Sequence, residues 1–220
     1  MASHNPRILI TAGPTYEPID EVRFIGNRSS GRMGVSLAEN ASGRGWRTTL
    51  LLGPGCQTPS DQTITVMRFR TSAQLKMLLG EHWRDSDVLI MAAAVSDYAP
   101  SDTISGKHPR QSGPLTLTLE PTTDLLAELA EDCRKDQTII GFALEEIGNL
   151  RSNGESKRIR KGVDAIVANP LDTMDSDMVD ALLLMAHGRE AAPDRPLTKT
   201  DFAGWLLDQL PMIQTLKQTQ

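Results

Sequence analysis

Aromatic residues are scarce in this 220-residue chain: three Trp, two Tyr and four Phe. Stacking platforms for bases are therefore few, and a formal net charge of -5 removes the broad basic face of a general nucleic-acid binder. No nucleic-acid partner is expected. Cysteine is rarer still. Cys56 and Cys133 stand far apart without a CxxC partner, so neither a disulfide framework nor a zinc site is indicated. No apolar run reaches the ~18 to 20 residues that cross a bilayer, and Met1 to Pro6 lacks an apolar signal core. No membrane span and a cytoplasmic location are expected.

Two nucleotide fingerprints are also missing. A dinucleotide-binding unit needs GxGxxG after the first strand and an acid at the end of the second, but Arg47 to Leu52 runs straight into Gly53. Gly26 to Gly31 has the outer glycines of a P-loop, yet Arg32 and Met33 replace the Lys and Ser/Thr that hold phosphate and magnesium. Neither Tyr16 nor Tyr98 has a lysine four residues on, which further weakens a nicotinamide-dependent oxidoreductase.

What is present is an alternation of strands and helices. Apolar residues at 39% and charged residues at 23% describe an ordinary globular chain, and residues 1–220 suit a single domain with a substantial core. Strands are predicted at 7–11, 47–52, 63–69, 87–94, 138–143, 165–169 and 181–186, with helices beginning near Ser36, Ser72, Thr123 and Thr200. Gly154 argues against an early start for a helix carrying the basic cluster 157–161. Pro211 should end or kink the last helix. Strands that are apolar throughout in the middle of the chain predict an α/β fold, a doubly wound, mostly parallel sheet in a three-layer sandwich. Leu115 to Glu120 alternates and reads as an edge strand or hairpin outside that sheet, a place where a second copy can pair.

Candidate binding residues lie at the ends of the strands. The connection from the first strand to the first helix is about twenty residues, against ~2 to 6 in most α/β units, and its Ile19, Val22, Phe24 and Ile25 predict order rather than disorder. Its end, Asn27-Arg28-Ser29-Ser30-Gly31-Arg32-Met33-Gly34, reads either as an anion site at a helix N-terminus or as a serine cap followed by a packed glycine. The density of polar groups needing partners favours the anion site. Ala92 to Ala94 either leave ligand space at a central strand end or pack a helix, and Asp97 is either a site carboxylate or a turn cap. Residues 101–114 read as a flap or an idle loop. Lys157 and Lys161 share one helix face, solvated or phosphate-gripping. Asp172, Asp175, Asp177 and Asp180 lack EF-hand spacing and read as turn residues.

With Ile10-Thr11-Ala12-Gly13-Pro14-Thr15, Glu17-Pro18-Ile19-Asp20, Val22-Arg23-Phe24-Ile25, Asn27-Arg28-Ser29-Ser30-Gly31 and Met33-Gly34, the chain resembles the phosphopantothenoylcysteine synthetase family of coenzyme A biosynthesis. The likeness continues in Met91 to Tyr98, Gly141-Phe142-Ala143, Lys157 to Gly162 and Ile166 to Asn169. It implies a Rossmann-like homodimer with an outlying strand pair. It also implies a ligase that joins 4'-phosphopantothenate to cysteine, using CTP (bacterial members) or ATP (animal members) with Mg2+, through an acyl-nucleotide. Many bacterial members are fused to a decarboxylase; the resemblance implies a stand-alone form here, with a separate decarboxylase in the same pathway.

By the same resemblance, Asn27 holds the pantothenate carboxylate and acyl intermediate, Arg23 serves the second half-reaction, and Lys107 neutralises charge from the flap. Gly13, Ser29, Ser30 and Gly31 belong to the binding loop; Ala93, Ala94 and Asp97 line the pantothenate and nucleotide pocket; Phe142, Lys157 and Lys161 match nucleotide-site positions. No metal ligand is assigned. The chain departs from the family pattern at Arg110, where a second flap lysine is common, at Glu120 to Asp124, where a Lys-Asn-Pro-Asp-like string is common, and at Leu144 and Glu146 in Gly141 to Glu146. A non-catalytic nucleotide-binding paralogue is the alternative.

Overall fold

The computed structural model describes residues 5–107, 114–171 and 176–219. Arg110, Asp172 and Asp175 lie outside them. Eight strands make one sheet: β1 (Arg7–Ala12), β4 (Arg47–Leu52), β5 (Thr65–Arg68), β6 (Val88–Met91), β9 (Thr138–Glu145), β10 (Ala165–Pro170), β12 (Leu182–Met185) and β13 (Glu190–Ala191). Three strand pairs stand outside it: β2 (Tyr16–Pro18) with β3 (Phe24–Gly26), β7 (Tyr98–Pro100) with β8 (Leu119–Pro121), and β11 (Met178–Val179) with β14 (Leu197–Thr198). The sheet order is β13-β12-β10-β9-β6-β1-β4-β5, parallel from β10 to β5, with β12 and β13 antiparallel at one edge. From β1 the chain steps out to β4 and β5, then returns to the other side of β1 for β6, β9 and β10. The order reverses between β1 and β6, and ligand crevices of doubly wound sheets form beyond strand ends at that point.

Successive side chains of a strand point to opposite faces, so β1 divides its apolar residues between two layers. Ile8 and Ile10 pack with α1 (Arg32–Gly43), α5 (Lys199–Asp208) and α6 (Leu210–Gln218), whose Leu37, Ala41, Phe202, Leu206 and Ile213 are buried there. Leu9 faces the other layer, with Leu75 and Leu79 of α2 (Ser72–His82) and Leu125 and Leu126 of α3 (Leu125–Glu131). The expected three-layer α/β sandwich is thus present.

Three local expectations are corrected. The helix bearing the basic cluster, α4 (Leu150–Lys161), runs through Gly154 rather than starting after it. A Cβ there would sit 2.5 Å from Leu184 Cδ1 and 3.2 Å from the Ala168 methyl, so glycine allows α4 to lie close on the sheet. The helix from Lys199 does end before Pro211, at Asp208, but it is not the last: Pro211 sits in the first turn of α6, where its missing N–H costs nothing. The alternating stretch at 115–120 forms a strand only at Leu119–Pro121, paired with Tyr98–Pro100.

The long β1–α1 connection is ordered. β2 and β3 form a hairpin with the Tyr16 and Phe24 rings stacked at 3.7 Å between centroids. Two buried carboxylates anchor it. Glu17 accepts from the Ser72 backbone N–H at 2.9 Å, and Asp20 accepts from the Val22 and Arg23 N–H groups at 2.8 and 2.7 Å.

Candidate active site

A cleft of about 820 Å³ opens at the β1–β6 switch point. One wall is the end of the long loop, Gly26 to Gly34. Gly31 adopts a left-handed conformation (φ 70°), and a Cβ on it would lie 2.5 Å from Cys56 Sγ, so only glycine turns the chain here and starts α1 at Arg32. Gly31, the N-cap residue, has no side chain to cap α1. Ser29 Oγ instead accepts from the Gly31 N–H at 3.3 Å, and the first turn, Arg32 to Gly34, faces the cleft. A helix start so placed favours an anion. Gly34 carries that turn onto β1, against the Ala12 methyl and the Thr11 carbonyl. Gly13 lies beneath the cleft rather than in its lining, at φ 86° and packed on Cys56 and Gly53. Burial pushes the Cys56 thiol up, in spite of the opposing Arg68 charge.

The floor is Met91 to Asp97. Beyond Met91 the chain leaves the sheet and is held by two buried threonines: Thr11 Oγ1 accepts from Ala93 N at 3.1 Å and Thr15 Oγ1 from Ser96 N at 3.0 Å. Ala93 and Ala94 line the cleft, and Asp97 is exposed at the rim. Asn27 reaches across to this floor, its Nδ2 donating to the Val95 carbonyl at 2.9 Å. Asn27, Ser29, Ser30, Gly31, Ala93, Ala94 and Asp97 therefore line one cavity.

Opposite them stand Phe142, half-buried on β9, and the α4 cations Lys157, Arg160 and Lys161. The i, i+4 spacing puts both lysines on the cleft face, while Arg158 is buried behind them against Glu155, holding that carboxyl below its usual range. Lys157 Nζ is 2.6 Å from Glu145 Oε1, and Lys161 Nζ donates to both Asp124 oxygens at 2.8 and 2.7 Å. For Asp124, burial is the largest influence and acts upward, but the Lys161 hydrogen bond, the Ala127 N–H and the Lys161 and Arg160 charges together carry it below the ordinary value of 3.8. The pair therefore stabilises the fold above that ordinary value and the contribution is lost as pH falls through the lowered one. Substitution by asparagine should flatten the acid limb of a urea stability-versus-pH curve slightly, since Asp124 is nearly half exposed.

Sequence reasoning missed three groups. Asp124 caps α3 through Ala127 N–H at 3.2 Å, and the Asp–x–x–Ala start of that helix was the available signal. Arg160 was read only as part of a charge run. Asn169 also lines the cleft, and its Oδ1 is buried with no hydrogen-bond partner among the described residues.

Two candidates lie elsewhere. Arg23 is on the β2–β3 hairpin, its guanidinium ion-paired with the buried Asp20 carboxylate. Lys107 is exposed beside Gly106, whose N–H and carbonyl bond Glu21 at 3.2 and 3.3 Å, and Ile104 N donates to Ile19 O at 2.9 Å. The segment before Lys107 thus rides on the same hairpin as Arg23, and neither Arg23 nor Lys107 is in the lining of this chain's own cleft. Asp177 is ion-paired with Arg32, more than a turn residue. Among the described residues no cluster of three or more His, Cys, Asp or Glu side chains can enclose a metal. Of the carboxylates in the cleft lining, Asp97 stands exposed at the rim and Asp124 is paired with Lys161.

Residues 3–213 match the family described as the DNA/pantothenate metabolism flavoprotein C-terminal domain. The chain belongs to that family. Its fold is that of the crystal structure of the C-terminal domain of the coenzyme A biosynthesis bifunctional protein CoaBC, at 33% identity over 96% of each chain with a TM-score of 0.80. CoaBC of Mycobacterium bovis is 34% identical over 216 residues, 93% of this chain and 51% of that protein. A protein named cysteine/cysteine sulfinic acid decarboxylase, from an unknown prokaryotic organism, is 47% identical over 165 residues, 75% of this chain and 46% of its own length. This family member thus spans about half the length of the curated relatives it matches. At 19% identity and a TM-score of 0.78, a mutant of Cab2 solved in complex with phosphopantothenate-cysteine shares the fold. The family is the phosphopantothenoylcysteine synthetase family that the loop motif implied. No helix among the described residues is long and apolar enough to cross a membrane.

Proposed function

We propose that this chain is a phosphopantothenate–cysteine ligase that consumes CTP or ATP, with Mg2+, in coenzyme A biosynthesis. One observation carries the reading: a neutral amide, Asn27, stands across a single cavity from three cations, Lys157, Arg160 and Lys161, with an uncapped helix start beside it. The cations and the α1 N-terminus suit a triphosphate, and the amide suits a carboxylate becoming an acyl group. In the first step a carboxylate oxygen of 4'-phosphopantothenate attacks the α-phosphorus and pyrophosphate leaves. In the second, the cysteine amine attacks the acyl carbon, the nucleoside monophosphate departs with the C–O electron pair, and the amine gives up a proton. Asn27 orients the acyl group without adding negative charge, Asn169 and Phe142 hold the base, and magnesium, when bound, offsets phosphate charge.

A second copy of the chain belongs to the proposal. Val22, Phe24, Tyr98 and Leu119 are exposed on or beside the β2–β3 and β7–β8 strand pairs, and Glu21, between β2 and β3, bonds Gly106, beside Lys107. Sedimentation should therefore give a species of two chains, and a monomer at micromolar concentration would remove the homodimer. We also place the protein in the cytoplasm, which its two free cysteines suit.

Pyrophosphate release tests the reaction. It is expected only when phosphopantothenate and CTP or ATP are both present with magnesium. Well-folded protein that binds nucleotide tightly but releases none would select the non-catalytic paralogue instead.

A further inference from the structure

Two lysines one helical turn apart face the cleft, and each meets a carboxylate of different character. Lys157 pairs with Glu145, whose side chain is 7% exposed and whose other oxygen accepts from Asn153 Nδ2 at 3.0 Å. Lys161 pairs with Asp124, whose side chain is 45% exposed and which also caps α3 through Ala127 N–H. A carboxylate buried like Glu145 cannot release its cation without leaving a dry charge, a much larger cost than opening an exposed pair whose carboxylate water can re-solvate. Lys157 is therefore fixed and Lys161 is exchangeable.

We infer that Asp124 is a resident counter-anion that occupies Lys161 until a ligand's polyphosphate displaces it, whereas Glu145 is a positioning residue that holds Lys157 permanently in the cleft wall. The inference rests on the proposed nucleoside triphosphate site. It gives the two carboxylates opposite effects: Asp124 competes with the polyphosphate and weakens its binding, and Glu145 supports it. When Lys161 turns to the ligand, Asp124 keeps the Ala127 N–H and gains water, so α3 stays capped. As pyrophosphate leaves, Asp124 recaptures Lys161 and opposes its rebinding.

Calorimetry on the whole chain tests this, with inorganic tripolyphosphate and with CTP and ATP as probes. Asparagine is as good an N-cap as aspartate, so Asp124→Asn keeps the helix start. At low salt it should bind tripolyphosphate about two- to fivefold tighter, the range of one exposed ion pair, and the gain should fade at high salt. In a Lys161→Gln background the gain should vanish, and Glu145→Gln should bind more weakly than wild type. Unchanged or weaker binding by folded Asp124→Asn, or a gain that survives Lys161→Gln, would overturn the inference. Equal tightening by Glu145→Gln would overturn the division of roles; if that variant does not fold, the other two decide. Wild-type protein that binds none of the three probes would fail the nucleotide reading and this inference together, whereas wild-type binding with a neutral Asp124→Asn overturns the counter-anion alone.

Discussion

Asn27→Asp should lower turnover by about two orders of magnitude, the usual scale for losing one preorganised donor at a reacting oxygen. Asn27 is exposed and, among the described residues, makes one side-chain hydrogen bond, Nδ2 to the Val95 carbonyl at 2.9 Å. An aspartate would turn a second oxygen toward that carbonyl and place a negative charge beside an acyl group whose own phosphate is negative. The stability cost should stay near ~1 kcal/mol, because the lost hydrogen bond is exposed. Turnover and urea unfolding measured on the same preparation separate the two effects. Unchanged turnover would remove Asn27 from the role assigned to it.

Gly34→Ala should destabilise the fold and weaken the binding loop together. Its Cβ would overlap the Ala12 methyl and meet the Thr11 carbonyl at 3.0 Å, and both neighbours belong to the central strand β1. Overpacking costs ~1–3 kcal/mol, more than the ~1 kcal/mol of helix propensity that alanine returns, so a net loss is expected. The first turn of α1 would also lift from β1, and affinity for tripolyphosphate should fall with it. Gly43→Ala near the other end of the same helix is the control: a Cβ there meets nothing within 4 Å, and the urea midpoint should hold or rise. A stable Gly34→Ala with native affinity would show that α1 does not need that close approach.

The sheet was legible because burial on both faces leaves its central strands uniformly apolar, as in Val88 to Met91 and Ile139 to Ile140. The two lysines of α4 were legible for an equally local reason, the i, i+4 repeat. What depended on neighbours distant in sequence was not. Gly154 reads as a helix breaker until Leu184 and Ala168 are found against it. Leu115 to Glu120 alternates like a strand, yet strand pairing is confined to Leu119–Pro121, against Tyr98–Pro100 some twenty residues back in the chain. Asp124 and Glu145 look like ordinary acids until α4 brings lysines to them from 37 and 12 positions away. Arg23 and Lys107 show the same limit from the other direction. Motif order groups them with Asn27, but the hairpin and the Glu21–Gly106 contacts hold both outside the lining of the cleft that Asn27 lines.

The most direct test of the central claim follows oxygen. With heavy oxygen in the phosphopantothenate carboxylate, an acyl-nucleotide route must hand one labelled atom to the nucleoside monophosphate while the amide product with cysteine accumulates. Mass spectrometry of the released nucleotide reads this. One heavy oxygen per monophosphate, matched to amide formed, is the predicted result; label appearing in inorganic phosphate, or no amide with cysteine at all, would contradict it.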